Sequence, residues 1–128
     1  MIPVYLDHIP AGTSTRPLIH YAQLHKTDRF VKFDFGSEEE NQLHYGSPVP
    51  PDYDLSRVTA PLALFSGERD NLATPQDVAT LASILPNVFH HELLNYPKCS
   101  HFDFAIGIDA AEIIYKPILK MMSDFWSK

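Results

Sequence analysis

Asp70 and His101 are the two residues of this chain best placed to move a proton. Each follows a short apolar run, 61–66 (Pro-Leu-Ala-Leu-Phe-Ser) and 88–94 (Val-Phe-His-His-Glu-Leu-Leu), and 31 residues separate them. If the two runs are parallel strands, both residues fall in loops at the strands' C-terminal ends, which is where open α/β sheets carry their sites. An Asp followed by a His is the second half of a Ser, Asp, His order. In that arrangement the carboxylate fixes the imidazole tautomer and the imidazole takes a proton from the nucleophile. None of the nine serines (Ser14, Ser37, Ser47, Ser56, Ser66, Ser83, Ser100, Ser123, Ser127) lies in a Gly-x-Ser-x-Gly elbow, so the sequence offers no nucleophile of that kind. Cys99 sits two residues before His101 on the same loop and is a poor substitute for a nucleophile presented on its own strand-to-helix turn.

The remaining ionisable residues have plainer readings. Asp77 falls in the first turn of an expected helix, where a carboxylate caps and complements the helix dipole. Asp103 could orient His101 or cap its own turn, and the second reading is preferred. His8, His20, His25, His44, His90 and His91 include no pair four apart, and there is only one cysteine, so no metal site and no cofactor is expected.

The elements that must position the pair are legible downstream of residue 53. The run 61–66 ends at Gly67. Thr74-Pro75-Gln76-Asp77 then starts a helix, with Thr74 at the cap and Pro75 at the first helical position. Val78, Leu81, Ala82 and Leu85 share a face, and Pro86-Asn87 stops it. A second strand follows over 88–94, in which His90 and His91 must face opposite sides. Asp109-Ala110-Ala111-Glu112 reads as a capping box opening a last helix that Pro117 should bend or restart. The alternation of strand and helix predicts an α/β layer arrangement.

Upstream the signals are weaker. Thr13 or Ser14 could cap a short helix starting near Pro17, with Leu18, Tyr21, Ala22 and Leu24 inside it. Residues 30–35 alternate as a short strand or extended segment leading into an acidic turn at 36–40. The stretch 45–53, with Gly46, Ser47, Pro48, Pro50 and Pro51, reads as an extended, structureless connector.

Composition bounds what such a chain can be. With 128 residues and 45% hydrophobic content it can fill one modest core. A formal net charge of −6 with no basic run argues against nucleic-acid and acidic-membrane partners. No apolar run approaches the roughly 18 to 20 residues of a transmembrane helix. Residues 1–6, followed at once by Asp7 and His8, lack the basic start and long apolar stretch of a signal peptide.

The segment 67–78, Gly-Glu-Arg-Asp-Asn-Leu-Ala-Thr-Pro-Gln-Asp-Val, resembles the acid-carboxylate segment of the acid lipases, the α/β-hydrolase family of gastric and lysosomal acid lipase. That family reads Gly-x-x-Asp-x-Leu-Ala-x-Pro-x-Asp-Val there. His101-Phe102-Asp103-Phe104, with Asp109-Ala110 after it, is similar to the family's His-x-Asp-Phe segment. Pro3-Val4-Tyr5-Leu6, Pro10-Ala11-Gly12-Thr13-Ser14 and His44-Tyr45 resemble stretches of its cap region and the return to the core. Pro97-Lys98-Cys99-Ser100, Pro117 and the absence of any Asn-x-Ser/Thr acceptor depart from the family's pattern.

The resemblance covers nearly the whole chain and implies the C-terminal part of an α/β-hydrolase fold, with the end of the cap over 1–53 and the last core strands and helices over 54–128. It implies Asp70 as the triad acid and His101 as the base, with the serine, the oxyanion-hole donors and most of the central sheet upstream. It further implies a neutral lipid ester as substrate, contact with a lipid-droplet or membrane surface through the cap, and a lysosomal or secreted location. The rival expectation is a catalytically inactive product that serves as a binding or regulatory remnant, exposes apolar surface and self-associates.

Overall fold

The computed structural model describes Asp7, residues 12–27 and residues 29–127. Residues 1–6 and 8–11, which carry the leader reading, His8 and part of the cap resemblance, lie outside the described residues. The chain divides into two compact units, Met1–Asp54 and Leu55–Lys128.

In the first unit, helix α1 spans Thr15–Leu24, and the Ser14 side chain caps it by accepting from the Arg16 N–H. The extended segment 30–35 is tied to α1 by side chains rather than by a sheet. The Gln23 amide donates to the Asp34 carbonyl at 2.8 Å and accepts from the Asp34 N–H at 3.0 Å. The expected strand is reduced to a single antiparallel bridge, Val31 with Asp52.

The expected acidic turn at 36–40 is instead the start of a second helix, α2, spanning Glu38–Tyr45. Ser37 accepts from the Glu40 N–H at 3.1 Å, three glutamates occupy the first turn at the positive end of the dipole, and Gly46 closes the helix at φ +69°. Asn41 is buried on its inner side, donating to Asp34 Oδ1 and accepting from the Phe35 N–H. The connector expected over 45–53 therefore begins inside α2 and is tied back by the bridge at Asp52, so it is not structureless.

The second unit opens with a 3₁₀ turn, Leu55–Arg57, and continues as strand β1 (Leu62–Ser66), helix α3 (Pro75–Ile84) and strand β2 (Val88–Leu93). β1 and β2 pair in parallel with an irregularity after Leu62, and Ser66 stands opposite Leu93. This β-α-β unit is the α/β arrangement expected from the sequence. Thr74 caps α3 by accepting from the Asp77 N–H and donating its hydroxyl to the Asp77 carboxylate at 2.7 Å.

A short helix α4 (Asp103–Ile106) precedes a π-helical turn, Ala111–Tyr115, and helix α5, Lys116–Trp126. The capping box expected at Asp109 does not form, because Ala110 occupies the cap position and no side chain caps the turn. In the wide turn the Lys116 N–H reaches the Ala111 carbonyl five residues back, and Pro117 follows directly, where it has no N–H for the Ile113 carbonyl and its ring crowds that group. Leu94, Cys99, Ala110 and Ile114 form the buried centre of this unit, with Phe65, Tyr96, Phe104, Ile113 and Ile118 packed around them.

Candidate active site

Asp70 lies in the loop that leaves β1. Its position is set by Gly67: a Cβ there would stand 2.7 Å from the Cys99 carbonyl oxygen, so only glycine lets the two loops approach. The Arg69 N–H donates to that same carbonyl at 2.9 Å. The loop after β1 and the loop after β2 are thus stitched together one residue before Asp70 and two before His101.

The Asp70 side chain is only 4% exposed, and its acceptor positions are filled. Oδ1 accepts from the Leu72 N–H at 2.8 Å and the Ala73 N–H at 2.7 Å, and Oδ2 lies 2.9 Å from Nδ1 of His101. Burial pushes the Asp70 pKa up, but the Ala73 N–H, His101 and the Leu72 N–H outweigh it and hold the carboxyl below its usual value. An ionised carboxylate only accepts, so Nδ1 carries the proton and donates it to Asp70. In the neutral imidazole that arrangement leaves Nε2 as the acceptor nitrogen, on a ring whose side chain is 49% exposed. The Phe102 ring meets the imidazole edge-on at 5.9 Å.

The neighbouring candidates do other work. Asp103 Oδ2 accepts from the Ser100 N–H at 2.7 Å and the Ser100 hydroxyl at 2.6 Å, so it closes its turn and is not the partner of His101. Those two bonds lower its pKa. Cys99 is fully buried, and burial, with Asp103 and Asp70 nearby, pushes its thiol pKa up, the opposite of what a nucleophile needs. His90 pairs with Glu92 at 3.0 Å and packs on Phe65, while His91 is exposed on the other face of β2. Ser66 is 2% exposed with no hydrogen-bond partner for its hydroxyl. Among the described residues no group of His, Cys, Asp and Glu could hold a metal ion, and no helix is long and apolar enough to cross a membrane. Gly67 is the residue of this site that the sequence reading missed; its signal, a glycine directly after an apolar run, was spent on marking the strand's end.

No protein-family model matches the chain. Curated proteins do. The mouse (Mus musculus) protein named gastric triacylglycerol lipase is 46% identical over 122 residues, which is 94% of this chain and 30% of the relative. Over nearly all of its own length the chain is similar to acid lipases. Mouse lipase member N is 38% identical over 125 residues, 98% of this chain and 31% of that protein. The human (Homo sapiens) gastric triacylglycerol lipase is 38% identical over 123 residues, 96% of this chain and 30% of the relative. The chain thus spans about a third of the length of these acid lipase relatives.

Proposed function

We propose that this chain carries the acid and the base of a Ser-His-Asp ester hydrolase acting on neutral lipid esters, acylglycerols or sterol esters, with the serine supplied from outside these 128 residues. Asp70 is the acid and His101 the base. The observation that supports this most directly is the 2.9 Å bond between a buried, ionised Asp70 and Nδ1 of a half-exposed imidazole. Two backbone N–H groups occupy Asp70 Oδ1, so Oδ2 is left for one ring nitrogen. The imidazole is thereby held with Nε2 as a proton acceptor. A serine hydroxyl brought to Nε2 would lose its proton to it while attacking the ester carbonyl, and the imidazolium so formed would be stabilised by Asp70 before passing the proton to the leaving alcohol.

In this reading residues 1–53 are the end of a cap over the acyl chain, able to meet a lipid surface, and residues 54–128 are the C-terminal strands and helices of an α/β-hydrolase core. The location that goes with the family is lysosomal or secreted, and the chemistry needs no cofactor.

The test is a chimera in which this chain replaces the matching 122-residue stretch of mouse gastric triacylglycerol lipase. The chimera is expected to hydrolyse an acylglycerol emulsion. Asp70→Asn or His101→Ala in it should lower kcat by a factor on the order of 10³ to 10⁴. Hydrolysis that survives either substitution overturns the assignment.

A further inference from the structure

His101 has one side-chain hydrogen bond among the described residues, to Asp70, and its ring is half-exposed. Something other than packing must hold its backbone. On one side Cys99 is anchored: its side chain is buried, its N–H donates to the Tyr96 carbonyl at 2.8 Å, and its carbonyl takes the Arg69 N–H. On the other side the chain is closed into a ring by Asp103. That carboxylate takes both the N–H and the hydroxyl of Ser100, and the Asp103 N–H returns to the Ser100 carbonyl at 3.1 Å. His101 and Phe102 are the two residues enclosed by this ring.

We infer that Asp103 is a positioning residue for the base: through Ser100 it fixes the turn that carries His101 and so keeps Nδ1 on Asp70. The inference rests on the pairing of Asp70 with His101 proposed above. Asp103 touches neither the imidazole nor any reacting atom; it acts through Ser100. A charged acceptor serving two donors of one residue makes a stiffer closure than the backbone bond alone. The charged and titratable groups gathered around the turn are Asp70, Asp103, Asp109, the Tyr96 phenol and the Cys99 thiol, so removing the Asp103 charge would also change the field at His101. Ser100 separates the two effects, because losing its hydroxyl breaks one strand of the clamp and leaves every charge in place.

The experiment reads the His101 tautomer by ¹⁵N NMR in the histidine-labelled lipase chimera, with the imidazole neutral, together with the exchange of its Nδ1 proton with water. In the unaltered chimera the proton is expected on Nδ1, exchanging more slowly than in Asp70→Asn. Asp70→Asn is the reference that releases it to Nε2, the form free imidazole prefers. Ser100→Ala should raise the Nε2–H population and the exchange rate by about two- to tenfold, the range one hydrogen bond spans. Asp103→Asn should do at least as much, and Ser100→Thr, which keeps the hydroxyl, should restore the unaltered values.

If Ser100→Ala leaves tautomer and exchange unchanged while Asp70→Asn moves them, the inference is overturned and Asp103 merely closes its own turn. Amide protection lost uniformly across residues 62–93 in Ser100→Ala overturns it equally, since the effect would then be general unfolding. If Asp70→Asn itself moves nothing, it is the acid–base pairing that falls.

Discussion

Besides the exposed Asp52, which Arg29 holds below its usual value, three carboxylates among the described residues are held as ions by hydrogen bonds, and that makes stability depend on pH in a definite direction. Burial opposes ionisation of Asp70, but the Ala73 N–H, His101 and Leu72 N–H prevail; Asp103 is held down by Ser100, and Asp34 by Asn41 and the Gly36 N–H. All three folded values lie below the unfolded one, so the stability these groups add is complete above about pH 4 and is lost as pH falls through the folded values. Between about pH 5 and 7 they should contribute no slope. Urea midpoints measured from pH 7 down to 3 should therefore fall only in the last part of the range, and Asp103→Asn should be less stable at pH 7 but show a shallower acid limb. An acid limb of unchanged depth in that variant would mean Asp103 gains nothing from ionisation in the fold. The pairing of Asp70 with His101 was legible in the sequence because a β-α-β unit delivers both strand ends to one edge. What the chain order could not show is which oxygen of Asp70 is left for the imidazole, since that depends on two backbone N–H groups at residues 72 and 73.

Elements with a polar signature and a matching cap were readable wherever an apolar face accompanied them. α3 is the clear case: Thr74, Pro75 and Asp77 occupy the places the sequence assigns, and Thr74→Ala should cost about 1 kcal/mol in urea unfolding by leaving the Asp77 N–H and carboxylate without the hydroxyl. α2 was missed because Glu-Glu-Glu-Asn-Gln-Leu-His-Tyr has almost no apolar period; Ser37, the glutamates and Gly46 were its only signals. The last helix was misread in its first turn, where the chain takes a wide turn directly before Pro117 in place of the capping box written in the sequence. Between elements, the approach of the two loops is set at Gly67. Gly67→Ala would force its new methyl against the Cys99 carbonyl, a backbone group with nowhere to go, and should destabilise the second unit by about 1–3 kcal/mol. In the lipase chimera it should also cut kcat, because the two loops it pushes apart carry Asp70 and His101. A Gly67→Ala protein as stable as the parent would show that the loops slide past each other freely.

At the scale of the molecule, the buried apolar centre of the second unit is small while large apolar side chains stand in water. Leu119 is 63% exposed, Met122 53% and Trp126 81%, and with Tyr115 they recur at helical spacing along one side of α5 and the turn before it. Phe89 and Leu93 on β2 are half-exposed too, and each strand of the two-stranded sheet has one edge unpaired among the described residues. A strand edge and an apolar helical stripe of this kind associate with like surfaces when nothing else covers them. Expressed alone, the 128-residue chain should therefore form concentration-dependent oligomers in sedimentation velocity. Replacing Leu119 and Trp126 by lysine should shift the distribution toward monomer without touching Asp70 or His101, because both side chains point away from the buried centre at Leu94, Cys99 and Ile114. Placed in the gastric lipase chimera, where the segment is only 30% of the molecule, the same two lysines become a probe of what that stripe meets. Secretion and hydrolysis unchanged by them would mean that the stripe faces solvent in the whole enzyme, and a loss of both would mean that the rest of the lipase packs on it. A monodisperse, cooperatively unfolding monomer of the isolated chain, with the stripe intact, would instead show that the small core and the stitched loops suffice to hold the unit together without a partner.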